Sequence, residues 1–139
     1  MCMALYVATD RIIPTTDRSS GSLLSVQGIA ASEERVREQF SKPHVRYVGA
    51  HGGCSCGFAY DPADPSGDVV LRSLAELRTL LERHLADADD AELFYLWEGD
   101  EGREPDRRVE VALEDLGTDA CPLKTAAFCR VRRRRPTRS

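Results

Sequence analysis

The residues of this chain best suited to chemistry stand close together: His51-Gly52-Gly53-Cys54-Ser55-Cys56-Gly57 puts an imidazole and two thiols in one short, glycine-rich stretch. Thiolates and imidazole are the ligands that borderline-soft cations such as zinc select, and closely spaced thiols also undergo thiol–disulfide exchange. Cys54 and Cys56 are two residues apart, so extended backbone points both the same way, and the flanking glycines let a loop draw them together. The spacing is not that of a zinc ribbon and no second cysteine pair follows, so a tetrahedral site needs ligands from elsewhere. His51, Cys2 and Cys129 are the candidates. The expectation is a thiophilic metal, zinc first, on Cys54 and Cys56 with Cys2 or His51 completing the site.

Other chemistry stays open beside it. Trimming of Met1 would leave Cys2 with a thiol and an α-amine of unperturbed pKa near ~7.7, the arrangement of an amino-terminal nucleophile. Cys54 and Cys56 could also cycle as a redox pair through a small, easily reduced ring. Each cysteine has a plain structural reading too. Cys2 can simply open a buried strand, Cys129 lies among apolar Ala127, Phe128 and Val131, and Cys121 before Pro122 has no evident partner. His44 reads as a surface or turn residue and His84 as a core histidine. The glycines around the loop match neither the dinucleotide fingerprint nor the P-loop. Glu98-Gly99-Asp100-Glu101-Gly102 lacks the spacing of a calcium loop and reads as a solvated loop.

The elements that must position these residues follow from periodicity. Residues 3 to 8 form a short continuous apolar run, a strand covered on both faces, and 11 to 22 read as a loop leading to a short strand over 23–27. Ser32 is placed to cap a helix carrying Glu33 and Glu34 in its first turn and Val36 and Phe40 on one face, ended by Ser41-Lys42-Pro43. A strand over 45–50 runs directly into the cysteine loop, and 61–68 is turn-rich. Ser73 and Glu76 fit a capping box for a helix with Leu74, Leu77, Leu81, His84 and Leu85 on one stripe and Leu80 beside it. Leu93–Trp97 is the next strand, so 45–97 reads as a strand–helix–strand crossover with parallel strands. Val109, Val111 and Leu113 alternate with polar residues, and 125–131 is a last strand. The expected fold is a single α/β or α+β domain, a mixed sheet of five or six strands with two main helices. Should the strands at 3–8 and 45–50 be antiparallel neighbours, Cys2 meets the loop.

A chain of 139 residues suits one domain with a real core, and 42% hydrophobic with 30% charged residues excludes wholesale disorder and fibrous repeats. No apolar run nears the ~20 residues of a membrane span, and the opening residues do not read as a signal peptide, so the expectation is a cytoplasmic protein. Five cysteines, an odd count, argue against a secreted disulfide framework. The net charge of −4 hides a split: six arginines occupy residues 130–139, and residues 1–129 carry 13 bases against 23 acids, or −10. The division expected is a globular unit 1–129 and a basic C-terminal tail 130–139. The acidic body argues against nucleic-acid binding except through that tail, which could also touch an acidic partner or its own domain. A plain interaction module using the acidic face is the third class of function.

Cys2-Met3-Ala4-Leu5-Tyr6-Val7-Ala8, Gln39-Phe40-Ser41-Lys42-Pro43-His44-Val45, Tyr47-Val48-Gly49, Gly53-Cys54-Ser55-Cys56-Gly57-Phe58 and Trp97-Glu98-Gly99-Asp100 together resemble a family of small uncharacterised bacterial proteins. The likeness covers most of 2–101 and weakens in the last third. Its members tend to carry glycine between the two cysteines, where this chain has Ser55. The resemblance implies one coherent domain and brings no function with it.

Overall fold

The computed structural model describes residues 2–16, 23–50, 55–59, 63, 67–85, 89–116, 123 and 126–133. Its centre is β1 (Met3–Thr9), in which all seven residues are buried. Alternate side chains of a strand face opposite ways, and here both faces are covered, which is why the sequence of β1 shows no polar alternation. Met3, Leu5 and Val7 join a core with Leu74, Leu77 and Leu81 of α1 (Gly67–His84). Ala4, Tyr6 and Ala8 join a second core with Phe94, Phe128 and Val36, the last from the 3-10 helix Ala31–Gln39.

Around β1 stand β2 (Ser25–Gly28), β3 (His44–Gly49), β4 (Asp90–Trp97), β5 (Arg107–Ala112) and β6 (Ala127–Arg132). They form a single sheet in the order β2-β3-β1-β4-β6-β5. Pairings are antiparallel except that of β5 with β6, which is parallel. The architecture is α+β, one mixed six-stranded sheet with two helices. No helix among the described residues is long and apolar enough to cross a membrane.

Several local expectations shift. The crossover over 45–97 does join strands of like direction, since β3 and β4 are each antiparallel to β1, but β1 lies between them. Local periodicity gives direction, whereas adjacency depends on a strand from the far N-terminus. The capping box at Ser73 and Glu76 does not form. The helix begins at Gly67, Ser73 is buried within it, and the Glu76 carboxylate accepts the Leu23 N–H at 2.8 Å. The apolar stripe extends back to Val70, and burying that extra turn outweighs the local capping signal. The first helix is a 3-10 helix whose start is held by Glu33, which accepts the Ala30 N–H at 2.8 Å, rather than by Ser32. Leu113 leaves the predicted strand for a buried 3-10 turn, Leu113–Asp115.

The basic end begins inside the fold, not as a tail. Arg130 and Arg132 belong to β6 and reach Asp90 at 3.4 and 3.6 Å, while an Arg133 N–H donates to the Glu82 and Leu85 carbonyls at the end of α1. Residues 134–139 lie outside the described residues. Lys42 Nζ contacts Asp10 and Asp90, each at 2.7 Å, so acids that look unbalanced in sequence are paired in space. Glu92, 2% exposed, accepts the Ser41 and Lys42 N–H groups at 2.9 and 3.1 Å and the Ser41 hydroxyl at 3.0 Å.

Burial alone would raise the Asp90 pKa, but the Lys42 ammonium, helped by Arg130 and Arg132, holds it below the usual carboxylate range. The unfolded chain therefore takes up a proton before the folded one, so this stabilisation is full above the unfolded pKa and disappears as pH falls through the acid range. Denaturation series from pH 6 to pH 3, endpoints set by the ~3.9 reference pKa of Asp, should show a shallower acid-side loss of stability in Asp90→Asn than in the unaltered protein.

Candidate functional site

Strand β1 has β4 on one side, and on the other β3 accompanies only its C-terminal half. The β1–β3 register runs from Thr9↔His44 to Tyr6↔Tyr47, after which β3 stays with β2 through Ser25↔Gly49. The N–H groups of Met3 and Leu5, two residues apart and so pointing the same way, are left without strand partners on that side. The 3-10 turn Ser55–Phe58 fills the gap with side chains. Leu5 N–H donates to Ser55 Oγ at 2.8 Å, and the Ser55 hydroxyl donates to the Val48 carbonyl at 2.7 Å, splicing β1 to β3 through one hydroxyl. Met3 N–H donates to Cys56 Sγ at 3.2 Å. The turn is pinned from below by Tyr95, whose hydroxyl donates to the Ser55 carbonyl at 2.8 Å, and by the fully buried Phe58.

This geometry brings Cys56 to the start of β1. Cys56 is half-buried and one residue removed in contact from Cys2, which is exposed and whose carbonyl accepts the Glu98 N–H at 2.9 Å. The antiparallel neighbourhood of β1 and β3, on which the meeting of Cys2 with the loop depended, is present. His51 and Cys54 lie outside the described residues, as does Cys121. Among the described residues there is no group of three or more His, Cys, Asp or Glu able to hold a metal. Cys129 is buried in β6, within the core that the α1 leucines share. His44 starts β3 opposite Thr9, and His84 is half-buried in the last turn of α1. None of Cys2, Cys56 and Cys129 is in a disulfide.

The Met3 N–H fixes the half-buried Cys56 sulfur against the start of β1, next in sequence to the exposed Cys2. Ser55 was visible in the sequence only as a small loop residue. Its structural part is larger: a glycine there would leave a buried N–H and a buried carbonyl unsatisfied. Ser55→Ala should therefore lower the unfolding free energy by about 2 kcal/mol in denaturant titration, the cost of orphaning buried polar groups.

The opposite face of β1 carries a cluster that sequence reasoning missed. Tyr6, without solvent exposure, donates its hydroxyl to Glu33 Oε2 and lies 3.3 Å from Glu101 Oε1. Glu101 is 8% exposed and accepts the Gly99 N–H at 3.2 Å, so the turn expected to be a solvated loop buries one carboxylate while Glu98 and Gly99 stay exposed. Gly99 has φ +101°, a conformation that glycine adopts without strain. Glu33, Glu98 and Glu101 line a cleft of about 580 Å³ with Gln27, Ser32 and Tyr47, the last stacked edge-on against Tyr6 at 5.9 Å. The cleft adjoins the thiol end through the backbone bond between Glu98 and Cys2. A tyrosine in the middle of an apolar strand was the available signal, because a buried phenol needs a partner.

Burial foremost, then the hydrogen bond and charge of Glu33 and the nearby Glu101, push the Tyr6 pKa far above its ordinary value. The folded protein keeps a proton that the unfolded chain releases above pH ~10, so stability falls as pH rises beyond that point. Absorbance titration should find a tyrosine component that ionises only on alkaline unfolding. Tyr6→Phe should reduce that component and flatten the alkaline decline.

Compared with protein-family models, with curated proteins and with solved structures, the chain matches none.

Proposed function

We propose that this protein binds a thiophilic metal, zinc first, through Cys54 and Cys56 with Cys2 or His51 completing the coordination. The observation that carries the reading is the Met3 N–H donated to Cys56 Sγ at 3.2 Å, which joins the loop to the residue next to Cys2. Ligands distant in sequence have to converge for a site of this spacing to work, and that hydrogen bond supports convergence. Ser55 supports the reading by holding the residue between the two loop cysteines, so Cys56 projects from fixed backbone instead of from a free loop.

Binding at a preformed site stabilises the folded state in proportion to the logarithm of free metal over its dissociation constant. Protein prepared anaerobically without a chelating tag should therefore contain about one equivalent of zinc by elemental analysis. Cys56→Ser and Cys54→Ser should each lose it, and the melting temperature of stripped protein should rise when zinc is returned. Metal-free protein that neither takes up zinc nor gains stability from it contradicts the proposal. Should one thiol then alkylate rapidly at neutral pH, thiol catalysis or redox chemistry at Cys2 or the Cys54 and Cys56 pair becomes the reading.

A further inference from the structure

The two edges of the sheet are finished differently. The outer side of β2 is occupied: Thr16 and Val26 exchange two backbone hydrogen bonds, each 2.9 Å. The outer side of β5 has no strand or bridge against it among the described residues. Its first four residues, Arg107 to Glu110, are exposed, and Val109 at 40% is among the few large apolar side chains open to solvent. An open strand edge is a template for another strand, and natural proteins commonly guard it with charged side chains or with proline. Arg107-Arg108-Val109-Glu110-Val111-Ala112 has no proline, and its charges are of both signs.

The charges on β5 are instead arranged so that the strand complements itself. Arg108 lies over the Phe128 ring, 4.6 Å from its centre, and Glu110 reaches Arg132 at 3.4 Å, so both project from the face that carries Phe128. Val109 points to the other face, toward the α1 side. When two copies pair β5 with β5 antiparallel about a two-fold axis normal to the sheet, each copy keeps its faces, and only residues of like face can stand opposite each other. Centring the axis on Val109 sets Val109 against its own copy and places Arg108 opposite Glu110 twice. The neighbouring permitted registers centre on Arg108 or on Glu110 and bring like charges together at the axis. Opposite charges directly across an antiparallel pair stabilise it and like charges destabilise it, so the sequence of β5 selects one register.

We propose that β5 is a self-association edge, through which two copies of this chain join antiparallel across Val109 into one continuous sheet. β4 and β6 stand between β1 and the paired edge, so this contact leaves the start of β1 and the acidic cleft free.

Sedimentation of the unaltered protein over a concentration series should show a reversible monomer–dimer equilibrium that weakens with added salt. Arg108→Glu and Glu110→Arg should each raise the dissociation constant by about tenfold or more, since each turns two attractive pairs repulsive. Both positions are on the surface, and unchanged circular dichroism spectra will establish that the variants fold. The decisive arm mixes the two variants in equal amounts: opposite charges again face each other, so a mixed dimer should return where neither variant dimerises alone. A protein that stays monomeric up to about 1 mM overturns the proposal, that limit being the weakest specific contact worth the name. So does a dimer indifferent to both substitutions, or a pair of variants that do not recombine.

Discussion

The structure depends on how the first half of β1 satisfies its backbone. Met3 and Leu5 sit in the core with N–H groups facing a side from which β3 has turned away, and a buried amide without a partner costs a large part of a small domain's stability. Ser55 Oγ and Cys56 Sγ take those donors. Closing the sheet and positioning Cys56 are thus one event: the turn cannot dock without carrying Cys56 to the N-terminal strand. Tyr95 and Phe58 hold the turn against the α1 core.

The other face of the same strand repeats the arrangement with carboxylates. Tyr6 is the polar residue of β1 on that side, and its phenol ties the start of the 3-10 helix, through Glu33, to the turn after β4, through Glu101. Glu92 acts similarly one strand over, collecting the backbone N–H groups of Ser41 and Lys42 where the 3-10 helix hands over to β3. Buried acids in this fold therefore serve as acceptors that anchor irregular backbone to the sheet. That is a structural use of charge which a count of acids and bases along the chain does not reveal.

Much of the architecture was legible in the sequence because it rests on periodicity. The continuous run of Met3–Ala8, the Leu74-Leu77-Leu81 stripe and the compact Leu93–Trp97 segment each became the element their spacing implied. What failed was governed by distant partners. Ser73 and Glu76 have the right spacing for a capping box, yet Glu76 is engaged by Leu23 and the helix gains more by extending to Gly67. Arg130 and Arg132 look like the start of a tail until β4 supplies Asp90 beside them. The joining of Cys2's neighbour to Cys56 could be framed from sequence only as a condition on strand order, since no local pattern states which strands are adjacent. Ser55, between the two cysteines, carried no sequence signal for its part in the ladder. A hydroxyl spliced between strands is set by where β3 leaves β1.

Amide hydrogen exchange at Met3 and Leu5 reads that splice directly. Leu5 should be protected to the level of Val7 within the β1–β3 ladder although no strand stands on that side of it, and Met3 should be protected in the unaltered protein and released in Cys56→Ala. Both amides exchanging at the rate of a frayed terminus would mean that the Ser55–Phe58 turn is not docked and that Cys56 is not held at β1.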